Sequence, residues 1–392
     1  MDRRLFLLAL GAFATSTVAF VFAGLLPLIA EDIGISVAEA GYLVSAFSLA
    51  YAVGTPVLSA LTGAFDRRRV IGLALICFIA GNLAAGASAS MLPLFLAQVV
   101  MGMSAGLFAA TAQAAAVMLA GPERRAAAIS AVVGGTTFAV ALGAPAGSLF
   151  AQFVGWRGEF FALAVIGTFC LTALWLRLPR DLLATSSTLA ERVMVIRRPG
   201  VFPAIVITFL YLAGGFTLIA YLGPVAIEGA GLSRAVLPAV LLAYGIGAII
   251  GNYASGRLAD RLGPTRVIVF AMIATASFAL LISAVLRWAP EAAAGPLLVA
   301  LVVPWGVVGW TFVPAQASRI VGAAPAVAHL TLALNASAIY LGIGFGSLVG
   351  GRVLETAGVE SLGVVAAVFP TAALLLLAAG RARKARVAAA GI

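Results

Sequence analysis

Gly256-Arg257-Leu258-Ala259-Asp260-Arg261-Leu262-Gly263-Pro264-Thr265-Arg266 is a charged island in the otherwise apolar second half of the chain. A shortened copy, Gly63-Ala64-Phe65-Asp66-Arg67-Arg68-Arg69, stands in the first half, and Asp66 and Asp260 lie 194 positions apart in a chain of 392. An island that recurs after almost half the chain length reads as the same loop of a duplicated unit.

The surroundings of the two islands say what kind of unit this is. The chain is 63% hydrophobic and 10% charged, whereas a soluble domain carries about 45–50% apolar residues and about a quarter charged ones. It belongs in lipid. At about 20 apolar residues per crossing, the runs near 5–30, 42–64, 70–89, 92–119, 127–153, 159–178, 201–227, 236–256, 266–286, 296–318, 327–351 and 360–379 predict about twelve transmembrane helices and an all-α integral membrane fold. Gly and Pro inside these runs are tolerated, because neighbouring helices re-satisfy freed backbone groups. The 43 Gly, with many Ala, predict helices that approach closely through small residues. A soluble hydrophobic core would need polar helix faces, which these runs lack.

The net charge of +10 is not gathered into a nucleic-acid-binding patch but sits in the short connections. With a cytoplasmic N-terminus, 20 of the 24 Lys and Arg fall on the cytoplasmic side and only Arg157, Arg234, Arg287 and Arg352 on the other. That bias places both termini in the cytoplasm of a bacterial-type inner membrane, and an even number of crossings agrees. The first run, roughly 25 residues, is too long for the apolar region of a secretory signal. Cys77 and Cys170 fall inside predicted helices as small apolar residues, and no disulfide is expected between them.

The longest polar connection divides the chain into a six-helix bundle at 1–180, a cytoplasmic linker at 181–199, a second six-helix bundle at 200–380 and a basic tail at 381–392. Two further matches support the duplication. Gly143-Ala144-Pro145-Ala146-Gly147-Ser148-Leu149 parallels Gly342-Ile343-Gly344-Phe345-Gly346-Ser347-Leu348 at an offset of 199, and Gly24-Leu25-Leu26-Pro27 parallels Tyr221-Leu222-Gly223-Pro224 at 197. Two pseudo-symmetric halves in the same orientation are what parallel-repeat transporters use, with the substrate near the midplane between them.

On these motifs the sequence resembles the major facilitator superfamily, in particular its drug and sugar (arabinose-type) efflux branch of proton antiporters, over essentially the whole chain. The family's loop signature, Gly-x-x-x-Asp-Arg-x-Gly-x-x-Arg, is complete at Gly256 to Arg266 and shortened at Gly63 to Arg69. Two readings apply. The residues can form a well-capped, topology-setting loop: Gly256 for close helix contact, Asp260 to cap the next helix or pair with arginine, Gly263 and Pro264 for the turn, Arg261 and Arg266 for positive charge. The resemblance implies instead a latch that closes the cytoplasmic side, with Gly63, Asp66, Arg67 and Arg68 as its partner set. The short copy lacks the turn glycine after Asp66, so equal roles are not expected.

Gly134, Gly135, Gly143, Pro145 and Gly147 in the fifth segment are similar to the family's antiporter pattern; they read either as helix packing or as a bend that limits leak. Gln98 stands where a family motif usually carries arginine, and Ala19 where relatives place an acid. Ionisable groups within the bilayer mark ion pathways, and all 14 acids are expected at helix ends or in loops. Proton candidates therefore reduce to Glu31, Asp32, Asp66 and Asp260, with His329 near an interface.

The polar residues inside helices, Thr17, Gln98, Gln113, Tyr211, Tyr221, Asn252, Gln316, Asn335 and Tyr340, are candidates for substrate contact or for ties between helices. Uncharged donors beside aromatics suit a neutral or amphiphilic solute. Asn335, in Ala333-Leu334-Asn335-Ala336-Ser337, resembles the efflux branch's eleventh helix. Trp156 and Trp288 read as interfacial anchors. No phosphate loop, metal cluster or nucleophile–base pair is visible, so no cofactor and no enzymatic activity are expected. The sequence predicts a monomeric membrane protein with a small-molecule substrate, lipid around it, no nucleic-acid partner and a proton as coupling ion; an uncoupled facilitator or importer, or a receptor that does not translocate, are the alternatives.

Asp260→Asn is expected to leave insertion and topology intact, since one loop charge hardly changes the 20-to-4 bias, and to slow transport in vesicles if the loop is a latch. Wild-type transport by this variant would leave Asp260 a topology signal.

Overall fold

In a computed structural model of the chain the structure describes residues 3–121, 124–180, 182, 194–198 and 200–389. The expected linker at 181–199 falls largely outside them, and the tail at 381–392 partly. All regular structure among the described residues is helical. The helices are α1 (Arg3–Ile33), α2 (Val37–Leu61), α3 (Arg67–Gly86), α4 (Met91–Ala120), α5 (Arg125–Phe138), α6 (Ala144–Arg177), α7 (Val201–Ile219), α8 (Leu237–Leu262), α9 (Pro264–Trp288), α10 (Glu291–Ala323), α11 (Ala328–Ala357) and α12 (Leu362–Ala389).

Eleven apolar stretches are long enough to cross a membrane, and one of them, Ala127–Arg177, has 51 residues. At 1.5 Å per residue that is about 75 Å of helix, more than twice the roughly 30 Å of hydrocarbon. It crosses twice. A turn of π-helix, Ala139–Gly143, joins α5 to α6, and α6 breaks at Gly155, whose φ of 76° only glycine adopts readily. The two arms of α6 then run side by side: a Cβ on Gly147 would lie 3.0 Å from Glu159 Oε1. With this hairpin the expected twelve crossings are present.

Local signals set the helix ends. Ser36 and Glu39 form a capping box at the start of α2 (Glu39 N to Ser36 Oγ 3.1 Å, Ser36 N to Glu39 Oε2 2.7 Å). Asp66 caps α3 by accepting from Arg68 N at 3.0 Å. Gly263, at φ 83°, ends α8, and Pro264 begins α9. Large apolar side chains such as Phe153, Leu176 and Trp288, each at least 75% exposed, cover the outer face that lipid would contact.

The duplication is visible in the pairing. In the first half α2 packs on α4, α3 on α6 and α1 on α5; in the second α8 packs on α10, α9 on α12 and α7 on α11. The halves meet along two seams, α2 against α11 and α8 against α6 with the π turn before it. Ser347 Oγ donates to Gly41 O (3.0 Å) and Ser45 Oγ to Gly344 O (2.9 Å) on one seam. Arg234 reaches Glu31 Oε2 at 2.6 Å where α1 ends. Tyr51 stacks on Tyr340, ring centroids 3.5 Å apart, near the middle of α2. These joints lie between the Glu31 end and the molecular midline.

Proline and glycine make the close approaches at the seams. Pro27 has no N–H to donate to Ala23 O, four residues back, and its ring crowds that carbonyl. Gly223 of the other half lies against it: a Cβ there would be 2.8 Å from Ala23 O and 3.5 Å from Pro27 Cγ. Pro145 likewise has no N–H to donate to Ala141 O, four residues back, and Gly245 of α8 packs onto Ala141 O so closely that a Cβ has no room. A glycine of the opposite half thus lies against each of these carbonyls, an approach in which a Cα–H can make a weak but favourable contact. The Glu31–Arg234 pair is more than half exposed on both sides and contributes about 0–1 kcal/mol. Packing, not charge, holds this end shut.

Gly245→Val is expected to cost the closed seam about 1–3 kcal/mol by overpacking and to part it. In a background with Cys77 and Cys170 replaced, maleimide labelling of Ser148→Cys, buried at the same seam, should rise at least tenfold; unchanged labelling would show that the contact does not gate the seam.

Candidate substrate site

At the midline the second half opens a cleft lined by Tyr211, Phe216, Tyr244, Thr275, Trp305 and Trp310, among others. Trp310 Nε1 donates to Tyr244 OH (3.0 Å). Tyr211 OH donates to Gly309 O (2.9 Å), shares a hydrogen bond with Thr275 Oγ1 (2.8 Å) and stacks on Phe312 at 3.8 Å. Phe20 of α1 closes the cleft from the first half, 6.1 Å from Phe216 and 6.3 Å from Trp310. The lining holds hydroxyls, an indole N–H and ring faces, and no charge. The enclosed space is about 20 Å³, room for roughly one water. An organic solute does not fit in the cleft as it stands. A larger groove, about 520 Å³, lies on the outside of the first half between Arg3, Phe6, Phe169 and Arg177, away from the seam.

The structure sorts the nine polar candidates into different roles. Tyr211 lines the cleft, and Tyr340 stacks at the seam below it. Asn252 Nδ2 reaches Thr137 Oγ1 across the α8 seam at 3.5 Å. Tyr221 is buried with its OH donating to Ser347 O at 2.8 Å, and Thr17 Oγ1 is bonded to Phe13 O at 2.8 Å. Gln113 is half-buried in α4.

Asn335 and Gln316 sit together away from the cleft. Thr208 Oγ1 donates to Asn335 Oδ1 (2.7 Å), and Gln316 Nε2 donates to Ala204 O (2.7 Å) and Thr208 Oγ1 (3.1 Å), tying α7, α10 and α11. Arg319 Nη1 donates to Gln316 Oε1 at 3.2 Å. Gln98 is fully buried in α4, and neither of its amide atoms has a partner among the described residues. Ala19 is buried in α1.

In the fifth-segment pattern Gly135 faces Ala9 O, Gly143 faces Thr17 and Gly147 faces Val21, all on α1, whereas Gly134 meets nothing within 4 Å. Pro145 sits just past the π turn. In the first island Arg67 is buried, its Nη2 donating to Gly63 O at 3.0 Å, and Arg68 lies over the Trp175 ring at 4.7 Å. The second island differs from expectation in two respects. A Cβ on Gly256 would meet open space, so the close helix contact is not made in this state. Asp260 is exposed in the last turn of α8 and does not cap α9, which starts from Gly263 without a side-chain cap; a residue inside one helix cannot reach the free N–H groups of the next across the reversal at Gly263. Gly263 itself makes that reversal. Arg261 and Arg266 are exposed beside it.

A further expectation is corrected. Trp156 is no lipid-facing anchor: it is 3% exposed, and its Nε1 donates to Asp32 Oδ2 at 3.2 Å, beside the Arg157–Asp32 ion pair. The acids are not all at the surface. Glu159 lies at a helix end, as expected, one turn inside the second arm of α6, but it is 6% exposed; the sequence marks the turn and not the burial. The aromatic cleft was also missed, although Trp305 and Trp310 on one helix are a visible signal. His329 lies in α11, but its side chain is outside the described set. Among the described residues no group of His, Cys, Asp or Glu is placed to hold a metal ion.

Comparison with known proteins follows the same lines. The profile of the Major Facilitator Superfamily matches residues 8–329. The chain is 31% identical over 375 residues to YtbD of Bacillus subtilis (strain 168), described as an uncharacterized MFS-type transporter, with 93% of each chain covered. It is 29% identical over 374 residues to the inner membrane transport protein YdhP of Escherichia coli (strain K12), with 94% of each covered. Among solved structures, a bacterial homolog of the human lysosomal transporter Spinster, inward-facing and occupied, aligns with TM-score 0.73 at 17% identity over 97% of this chain and 96% of that one. The human organic anion transporter MFSD10 aligns with TM-score 0.70 at 18% identity over 96% and 99%. At such identities the likeness shows a shared fold.

Breaking the Thr208–Asn335 bond tests its role as a helix tie. In a double-mutant cycle of Thr208→Val and Asn335→Leu, read by unfolding of the purified protein, a coupling of about 0.5–1.5 kcal/mol is expected. No coupling would return Asn335 to the group of free polar side chains.

Proposed function

The chain belongs to the Major Facilitator Superfamily and is a multi-pass membrane transporter; from that membership we propose that it exports a small, uncharged or amphiphilic organic solute, such as a drug or a sugar-like metabolite, in exchange for protons. The observation that carries this reading is the position of the aromatic, charge-free cleft beside a seam whose described joints run from the Glu31 end to the midline. Residues 1–180 and 200–380 are then the two units that rock.

The positive-inside bias assigns the two islands and both termini to the cytoplasm and the Glu31 end to the opposite side. The state described is then shut to the outside. Gly256, with open space beside it, belongs to a latch that closes when the outer seam parts. The small cleft supports a solute bound between the halves: Phe20 and Tyr51 come from one half, Tyr211, Trp310 and Tyr340 from the other. Uncharged hydrogen-bonding groups among ring faces favour a neutral or amphiphilic cargo.

An uncoupled facilitator is the second reading, favoured by Ala19 and Gln98, which stand where relatives place an acid and an arginine. The two readings separate in one experiment. A ligand-stability screen of the purified protein, in which compounds raise its melting temperature, supplies the substrate; export from loaded vesicles is then measured with and without an imposed pH gradient. Acceleration by the gradient is expected, and indifference to it establishes the facilitator. Trp310→Ala is expected to lower kcat/KM for that substrate at least tenfold, while Phe153→Ala, on the lipid-facing surface, leaves it unchanged; equal effects would remove the cleft from the pathway.

A further inference from the structure

Among the described residues Glu159 is the one buried acid. Of the others at this end, Asp32 pairs with Arg157, Glu31 with Arg234 and Glu355 with Arg352, Glu39 sits in its capping box, Glu228 and Glu291 are exposed and Glu360 is half-buried. The Glu159 carboxyl occupies a niche that exists because residue 147 is glycine; a Cβ there would fall 3.0 Å from Oε1 and 3.1 Å from Cδ. Val21 of α1 lies against the same glycine. No hydrogen bond or ion pair engages the carboxyl among the described residues.

No charged neighbour compensates it. On its own helix Arg157 is bonded to Asp32 and to Ser88 O, and Arg177 stands at the far end. The elements packed against α6 are α1, α3, α8 and the π turn. Beyond the paired Glu31 and Asp32, α1 carries Arg3 and Arg4 at its opposite end. Helix α3 carries Cys77 and its three N-terminal arginines; α8 carries Tyr244 and Tyr253 within it and Arg257, Asp260 and Arg261 at its far end; α4 brings none, and α5 only Arg125 at its start. Taking an ionised carboxylate out of most of its water without a partner is costly.

We infer that Glu159, housed by Gly147, is the residue that binds the coupling proton and makes closure of the outer seam depend on it, an inference that rests on the antiport reading above for its role in transport. The niche adjoins the seam: Ser148, next to Gly147, packs on Gly24, and a Cβ on Gly24 would lie 3.1 Å from Leu241 of the opposite half. When the seam parts, water reaches the carboxylate, which takes a proton from that side onto a carboxyl oxygen. The seam then closes over a neutral acid. Below the niche the α1–α5 face continues in hydroxyls, Thr17 beside Gly143 and Ser16 donating to Thr136 at 3.2 Å, toward the midline where the proton leaves as solute binds. By linkage, whatever favours the closed seam favours the protonated acid, and the reverse.

The test needs no substrate at first. Infrared spectra of the purified full chain at neutral pH are expected to show a protonated-carboxyl stretch that disappears in Glu159→Gln, a near-isosteric neutral replacement, and that persists in Asp260→Asn. Retention of the band in Glu159→Gln overturns the inference. Gly245→Val, which parts the seam, should reduce the band at the same pH at least twofold; an unchanged band, with Ser148→Cys labelling showing the seam open, overturns the link to closure. Glu159→Ala, monodisperse on gel filtration, serves as a second variant if Glu159→Gln does not fold. With a substrate in hand, gradient-driven export that survives in Glu159→Gln overturns the assignment. Wild-type export indifferent to the gradient, with both infrared results as expected, would instead end the antiport reading and leave Glu159 as a proton-sensitive closure switch.

Discussion

A backbone carbonyl that loses its helical donor inside a membrane has no water to turn to. Pro27 and Pro145 withhold the usual donor from Ala23 O and Ala141 O, and Gly223 and Gly245 lie against those carbonyls from the opposite half. The separation of the halves at the closed end is thereby fixed by main chain meeting main chain. Side chains adjust around it: Tyr51 meets Tyr340 at stacking distance, and the serines Ser45 and Ser347 reach backbone oxygens across the seam. The exposed ion pairs at this end are too well solvated to set the geometry. Association in lipid depends on such packing and on interhelical bonds, since lipid tails are as apolar as the helices themselves.

The fold was legible because its signal is compositional. Runs of apolar residues, basic connections and islands 194 positions apart need no knowledge of who touches whom. The repeats also marked places of real contact: the match of Gly24–Pro27 with Tyr221–Pro224 is the approach of α1 to the short helix Leu222–Pro224 that follows α7, and that of Gly143–Leu149 with Gly342–Leu348 places Gly147 and Gly346 each against the first helix of its half. The chemistry was less legible. Asn335 and Gln316 are bonded through Thr208, which no spacing along the chain announces. Glu159 and Trp156 read as boundary residues, which they are at the turn of Gly155, but their burial has no mark in the sequence. Asp260 read as a cap because a cap lies near it in sequence, but Gly263 reverses the direction of the chain in between. In each case burial and partnership depend on a second helix whose register the sequence does not state.

The halves share a fold and have diverged in content. The second carries the aromatic cleft and the Thr208–Gln316–Asn335 network; the first carries Glu159 and buried polar atoms that have no partner among the described residues, among them those of Gln98 and Asn82 Oδ1. Phe20 is the point at which the first half touches the second half's cleft. On the proposed reading a duplicated unit thus separates ionisable chemistry from cargo contact, and the seam adjoins both.

The glycine contacts also divide the chain into positions with different freedom to change. At Gly223 and Gly245 any side chain meets a carbonyl, so variation there is excluded by volume alone, whatever the cargo. Around the cleft, rings and hydroxyls can be exchanged for others of similar size without touching the backbone joints. If the cleft holds the cargo, as proposed, a lineage built on this frame can alter what it carries without renegotiating how the two halves fit.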